Sequence, residues 1–232
     1  MAIRKSVFVI SFLVTVIILM SVIFSNMFLS EEREEAVVER MNDIVNEYEE
    51  MQTLFFMSEF FGEEATCVAL ESMLSSMNEE LWDLGVKIDS YRQVTEEFTR
   101  SPFYVDQKTE FNRRAVLYYS MLRRMKEMCD VNQTIMSYFY KKKEDCPDCD
   151  EQSFVLTDIR HDLEDKDMSQ SLALFSFDAN IDIPSLQLLT RYYNISEYPC
   201  LLIGDSVHCG LYRKDDVLDL LCNMNSSACY EN

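Results

Sequence analysis

Apolar side chains fall along this chain in three successive patterns, and each predicts a different kind of element. Ser6 to Leu29 is a run of 24 residues without one ionisable side chain. A helix of that length crosses the ~30 Å of bilayer hydrocarbon with some tilt, so the run predicts a transmembrane helix. It is longer than the apolar region of a secretory signal and shows no small-x-small cleavage site, which favours a retained anchor.

From residue 30 to residue 130 apolar positions return at steps of three and four, interrupted only by Gly62, Gly85 and Pro102. Val37, Met41, Ile44, Tyr48, Met51 and Phe55 make one helical face that continues the membrane run. A second helix is predicted over 64–92, burying Leu70, Leu74, Met77, Leu81, Leu84, Ile88 and Tyr91. A third is predicted over 106–129, burying Phe111, Leu117, Met121, Met125 and Met128, after a turn at Ser101-Pro102-Phe103. Antiparallel packing of the second and third helices brings Cys67 beside Cys129, which predicts a disulfide.

Beyond residue 131 the pattern changes to short runs rich in aromatic and β-branched residues, separated by amphipathic stretches. It reads as strand 133–140, helix 149–163, strand 171–177, helix 183–193, strands 200–203 and 206–209, and helix 214–222. Gly204-Asp205 suits a two-residue primed turn, which sets Ile203 opposite Ser206 and Cys200 opposite Cys209. The expected organisation is an N-terminal tail at 1–5, a membrane span at 6–29, a helical hairpin or bundle at 30–130, an α/β domain at 131–222 and a tail at 223–232.

The formal charge of −20 excludes a nucleic-acid partner, because a phosphate backbone is held by lysine and arginine. Arg4 and Lys5 before the apolar run are balanced by Arg33 and Arg40 after it, so basic residues leave the orientation open. All eight cysteines follow the run, and an even number of them favours an oxidising compartment. Sequons at Asn132, Asn194 and Asn225 are candidate glycosylation sites and agree with that orientation. The expected topology is therefore a single-pass protein of the cell membrane, with its N-terminus cytoplasmic and its bulk outside. A cytosol-facing domain with free thiols is the alternative.

Cys146-Pro147-Asp148-Cys149 stands at the start of the first helix of the α/β segment, where free N–H groups and the positive dipole end stabilise a thiolate. Two thiols at this spacing close into a reversible disulfide, and the same spacing also fits half of a zinc site. Glu144, Asp145, Asp148, Asp150 and Glu151 crowd the motif, opposed by Lys141, Lys142 and Lys143. The acidic excess raises thiol pKa values and argues against a strong oxidant.

With Tyr198-Pro199 heading the later run Cys200-Leu201-Leu202-Ile203, residues 131–222 resemble the thioredoxin-like fold superfamily. The resemblance implies a cis proline at Pro199 packed beside the Cys146–Cys149 pair, with Tyr198 and Pro199 presenting backbone to a client chain. Position on the helix assigns the roles: Cys146, exposed at the helix start, is the expected attacking thiolate, and Cys149, one turn in, the resolving thiol. Two features depart from the family: Asp145 stands where tryptophan is frequent, and strand 134–140 carries no carboxylate.

Cys200 and Cys209 are read as a structural bridge, a second redox pair, free thiols or, with Cys146 and Cys149, a four-sulfur metal site that His208 could join; the bridge is the favoured reading, and no resident metal is expected. Cys222 and Cys229 are expected to pin the C-terminal tail. No phosphate loop, nucleophile elbow or zinc-helix motif occurs among only four glycines, so no cofactor is expected. The sequence thus predicts a membrane-anchored extracytoplasmic thiol-disulfide oxidoreductase. Its expected partners are cysteine-containing client proteins or a membrane electron donor or acceptor, with lipid around the anchor. The rival is a non-catalytic binding or scaffold protein with a permanent Cys146–Cys149 bridge.

Overall fold

The computed structural model describes residues 2–92, 102–224 and 226–230. Side chains are described at these positions except 2–8, 25–37, 40, 41, 44, 45, 47, 74–80, 87 and 89–92. Ser101, Asn225, Val37, Met41, Ile44, Leu74, Met77 and Tyr91 of the expected turn, sequon and helical stripes therefore lie outside what is described. The chain divides into two compact units, residues 1–40 and 41–232.

Helix α1 is Ala2–Phe61, and the first unit consists of its early part. Side chains 9–24 are all exposed, while the ends of the apolar run at 6–8 and 25–29 lie outside the described side chains. Among the described residues no helix is long and apolar enough to cross a membrane.

In the second unit, α1 ends at Gly62, whose φ of 87° is open to a residue without Cβ and whose N–H closes on the Ser58 carbonyl at 3.0 Å. Helix α2 is Glu63–Arg92 and α3 is Pro102–Cys129. The third helix begins four residues earlier than its apolar stripe predicts. A proline is well placed in a first turn, because its fixed φ suits the helix and its missing N–H would have had no partner there.

Helix α3 also buries a wider face than expected. Tyr104, Lys108, Asn112, Ala115, Val116, Tyr118, Tyr119 and Leu122 join Phe111, Met121 and Met125, while Leu117 is 36 % exposed and Met128 half-buried. The reason is that α3 packs against α2, β2 and α5 together, which a single apolar stripe cannot cover.

Strand β1 is Thr134–Tyr140, α4 Cys149–Asp165, β2 Leu172–Asp178 after a single 3-10 turn, α5 Pro184–Tyr192, β3 Cys200–Ile203, β4 Ser206–Cys209 and α6 Lys214–Asn223. The four strands form one mixed sheet in the order β2-β1-β3-β4. β1 runs parallel to β2, with Tyr140 opposite Asp178, and antiparallel to β3, with Phe139 opposite Cys200. The β3–β4 hairpin turns at Gly204, whose φ is 60°, and pairs Cys200 with Cys209.

Strand periodicity sorts the core into two layers. Met136, Tyr138, Leu172, Leu174, Leu201 and Ile203 pack with Leu156, Ile159 and Leu163 of α4 and Val217 and Leu221 of α6. Phe175 and Phe177, offset by one position, meet Tyr118 and Tyr119 of α3 through ring contacts with centroids 5.4–6.2 Å apart. The chain is thus α/β, with helices about a four-stranded mixed sheet.

Candidate functional site

Strand β1 delivers the chain to the Cys146–Cys149 loop. After Tyr140 the backbone turns so that the Lys142 carbonyl accepts N–H bonds from both Asp145 and Cys146 at 2.9 Å. The Cys146 carbonyl then accepts from Cys149 N–H at 3.3 Å, and Gln152 N–H to the Asp148 carbonyl, 3.0 Å, opens α4. Cys146 and Cys149 are bonded.

Cys149 is the first residue of α4 and Cys146 lies in the turn before it, instead of opening the helix. Nor is Cys146 exposed: its exposure is 1 % and that of Cys149 is 2 %. The physical reason lies in what holds the second sulfur. Cys149 Sγ accepts the backbone N–H of Lys141 at 3.5 Å, and the Cys149 carbonyl accepts the Tyr138 hydroxyl, so Cys149 is fastened against the end of β1. The disulfide draws the Cys146 side chain in with it.

Lys141 reaches the second half of the site as well. Its Nζ sits 4.6 Å from the centroid of the Tyr198 ring, within cation–π range. Tyr198 is half-buried, and burial raises its phenol above the usual range. The Tyr198-Pro199 bond is cis, Pro199 is buried, and its carbonyl accepts Gly210 N–H at 2.8 Å. One residue therefore brings the Cys146–Cys149 bridge and the Tyr198-Pro199 segment together.

All eight cysteines are paired: Cys67–Cys129 joins α2 to α3, Cys200–Cys209 spans the hairpin, and Cys222–Cys229 ties α6 to the tail. The sulfurs weighed for a four-sulfur metal site are thus consumed in bridges. Among the described residues no group of three or more His, Cys, Asp or Glu is arranged for a metal ion. His208 packs edge-on against Tyr212, and His161 is exposed beside Glu164. Asn132 and Asn194 are exposed, as glycan acceptors must be, and Asn225 lies outside the described residues.

Sequence reasoning missed a polar chain behind this loop, buried at Lys108, Asn112 and Asp178 and exposed where it reaches Asn180, Lys142 and Asp145. Lys108 of α3 forms an ion pair with Asp178 at 2.6 Å, at side-chain exposures of 11 % and 2 %. Asn112 Oδ1 accepts Asp178 N–H at 2.9 Å, and the Asp178 carboxylate accepts Asn180 N–H at 2.9 Å. Asn180 Oδ1 then accepts Lys142 N–H at 2.7 Å, while its Nδ2 donates to the Asp145 carboxylate at 3.1 Å. Burial alone would lower the Lys108 pKa; Tyr140, Asp178 and Tyr104 outweigh it and hold the ammonium well above its ordinary value. The available signal was a single carboxylate, Asp178, directly after the strand expected over 171–177, since a carboxylate buried there calls for a cation.

Comparison of the chain with protein-family models, curated proteins and solved structures returns no match.

Proposed function

We propose that this chain is a thiol-disulfide oxidoreductase with a thioredoxin-like fold over 131–222, anchored through Ser6–Leu29 and facing an extracytoplasmic compartment. The observation that carries the reading is the Cys146–Cys149 bridge at the start of α4, linked by Lys141 to a cis Tyr198-Pro199. The element order β-α-β-α-β-β-α supports the fold. The ionisable-free run of 24 residues supports the anchor, and four disulfides suit an oxidising compartment.

In the oxidised form, a client thiolate attacks Cys146 Sγ and the Cys146–Cys149 bond breaks, with the electron pair leaving on Cys149. That thiolate forms beside the Lys141 N–H at the first residue of α4, and a stabilised leaving sulfur leaves faster. A second client thiolate then attacks the client-side sulfur of the mixed disulfide and releases Cys146. The client loses two electrons and the protons of two thiols, and this chain gains the dithiol. The reverse sequence, in which Cys146 attacks and Cys149 resolves, reduces a client. Cys146 is taken as the client-linked sulfur because attack there leaves the electron pair on Cys149, whose sulfur accepts the Lys141 N–H, whereas the sequence-based expectation rested on the exposure of Cys146 and its stabilisation by the helix end.

Burial of both sulfurs, 1 % and 2 %, favours the second reading, a binding or scaffold protein in which the bridge is permanent. Substitution in the full-length chain separates the two. Cys149→Ser traps client proteins on Cys146 as mixed disulfides, and Cys146→Ser does not. If neither variant captures a client and the wild-type chain neither reduces nor oxidises a test protein, the scaffold reading replaces the catalytic one.

A further inference from the structure

Helix α3 lies outside the segment that carries the redox motif, yet an unbroken series of polar contacts runs from it to the turn bearing Cys146. Lys108 pairs with Asp178, Asp178 accepts Asn180 N–H, and Asn180 accepts Lys142 N–H. The carbonyl of Lys142 in turn holds Cys146 N–H, and the preceding residue, Lys141, gives its N–H to Cys149 Sγ. We propose that Lys108, Asp178 and Asn180 are positioning residues for the Cys146–Cys149 site, so that the helical segment sets how stable that bridge is.

The proposal rests on the oxidoreductase reading and adds to it a device that controls the redox equilibrium. A disulfide closes readily when its two sulfurs are already held at bonding distance, since little freedom is then lost. Asn180 is the link whose side chain touches the turn: it is exposed, and its carbonyl oxygen and amide nitrogen clamp Lys142 and Asp145, the two ends of the segment before Cys146. Without that clamp the open dithiol gains freedom that the closed bridge does not. Loss of Asn180 therefore favours the dithiol.

Asn180→Ala is the direct test, because an exposed side chain can be truncated with little cost to the fold. The full-length protein in detergent micelles is equilibrated with graded glutathione buffers and, for a more stable bridge, dithiothreitol buffers. Acid quenching, alkylation and mass mapping then give the dithiol-to-disulfide ratio at Cys146–Cys149 and, in the same samples, at Cys200–Cys209. The expected result is a shift of about five-fold toward the dithiol at Cys146–Cys149, the scale of one hydrogen-bonded clamp, with Cys200–Cys209 unmoved. An unchanged ratio, a shift toward the disulfide, or an equal shift at Cys200–Cys209 overturns the inference. A wild-type bridge that opens only in dithiothreitol counts against the oxidoreductase reading while the Asn180→Ala comparison still decides the positioning role. A bridge that opens only when the chain unfolds overturns both.

Discussion

Lys108 of α3 and Asp178 at the end of β2 form an ion pair at 2.6 Å that is almost closed to solvent. Removing one partner strands the other charge in the interior, which costs about 3–5 kcal/mol, whereas replacing both with apolar residues costs much less. Lys108→Met alone therefore lowers the denaturant midpoint strongly. The double variant Lys108→Met with Asp178→Leu recovers most of the loss, and additive losses in the double variant would show that the pair is not a unit.

Burial of Asn112 belongs to the same relationship and shows where reading the sequence stops. Asn112 and Asp178 are 66 positions apart, and a stripe of apolar residues gives no reason to place an asparagine and a lysine inside. By contrast the hairpin was legible, because a two-residue turn at Gly204-Asp205 leaves only one register and sets Cys200 opposite Cys209. Cys67 and Cys129 could likewise be paired from helix lengths alone. Leu117 was misplaced because it falls, with Arg113, Ser120 and Arg124, on the one face of α3 that stays exposed, and Cys146 because its burial depends on contacts that Cys149 makes with Tyr138 and Lys141. Local pattern gave the elements; the polar contacts between them depend on the packed chain.

Alkaline pH provides a second check. Lys108 has a raised pKa for the reasons given above; Tyr119 is raised by burial and by its hydroxyl contact with Tyr193, and Tyr230 by burial and by its bond to Asp162. A raised folded-state pKa means that the native chain keeps its proton after the unfolded chain has lost it. These contributions are fully present below the ordinary values of 10.5 for lysine and 10.0 for tyrosine, and vanish as pH rises through the folded values. Stability followed by urea unfolding should thus show no loss from these groups up to about pH 9 and a decline above about pH 10. A rise in stability above pH 10 contradicts the assignment.

The disulfides should rank by the loops they close. Cys67–Cys129 spans a sequence separation of 62 and Cys222–Cys229 one of 7. Chain entropy then gives about 4 kcal/mol for the first and about 2 kcal/mol for the second. Paired alanine substitutions in the full-length chain, compared by denaturant unfolding, should reproduce that order, and equal losses would show that native-state packing outweighs loop closure.

The reduction potential of Cys146–Cys149 in the full-length protein tests the central claim most directly, read from the dithiol-to-disulfide ratio of that one pair in defined redox buffers. The acidic residues around the motif disfavour the thiolate, so the account predicts a value nearer the reducing end of the catalyst range, about −200 to −270 mV. A value below about −300 mV, where structural bridges lie, contradicts it.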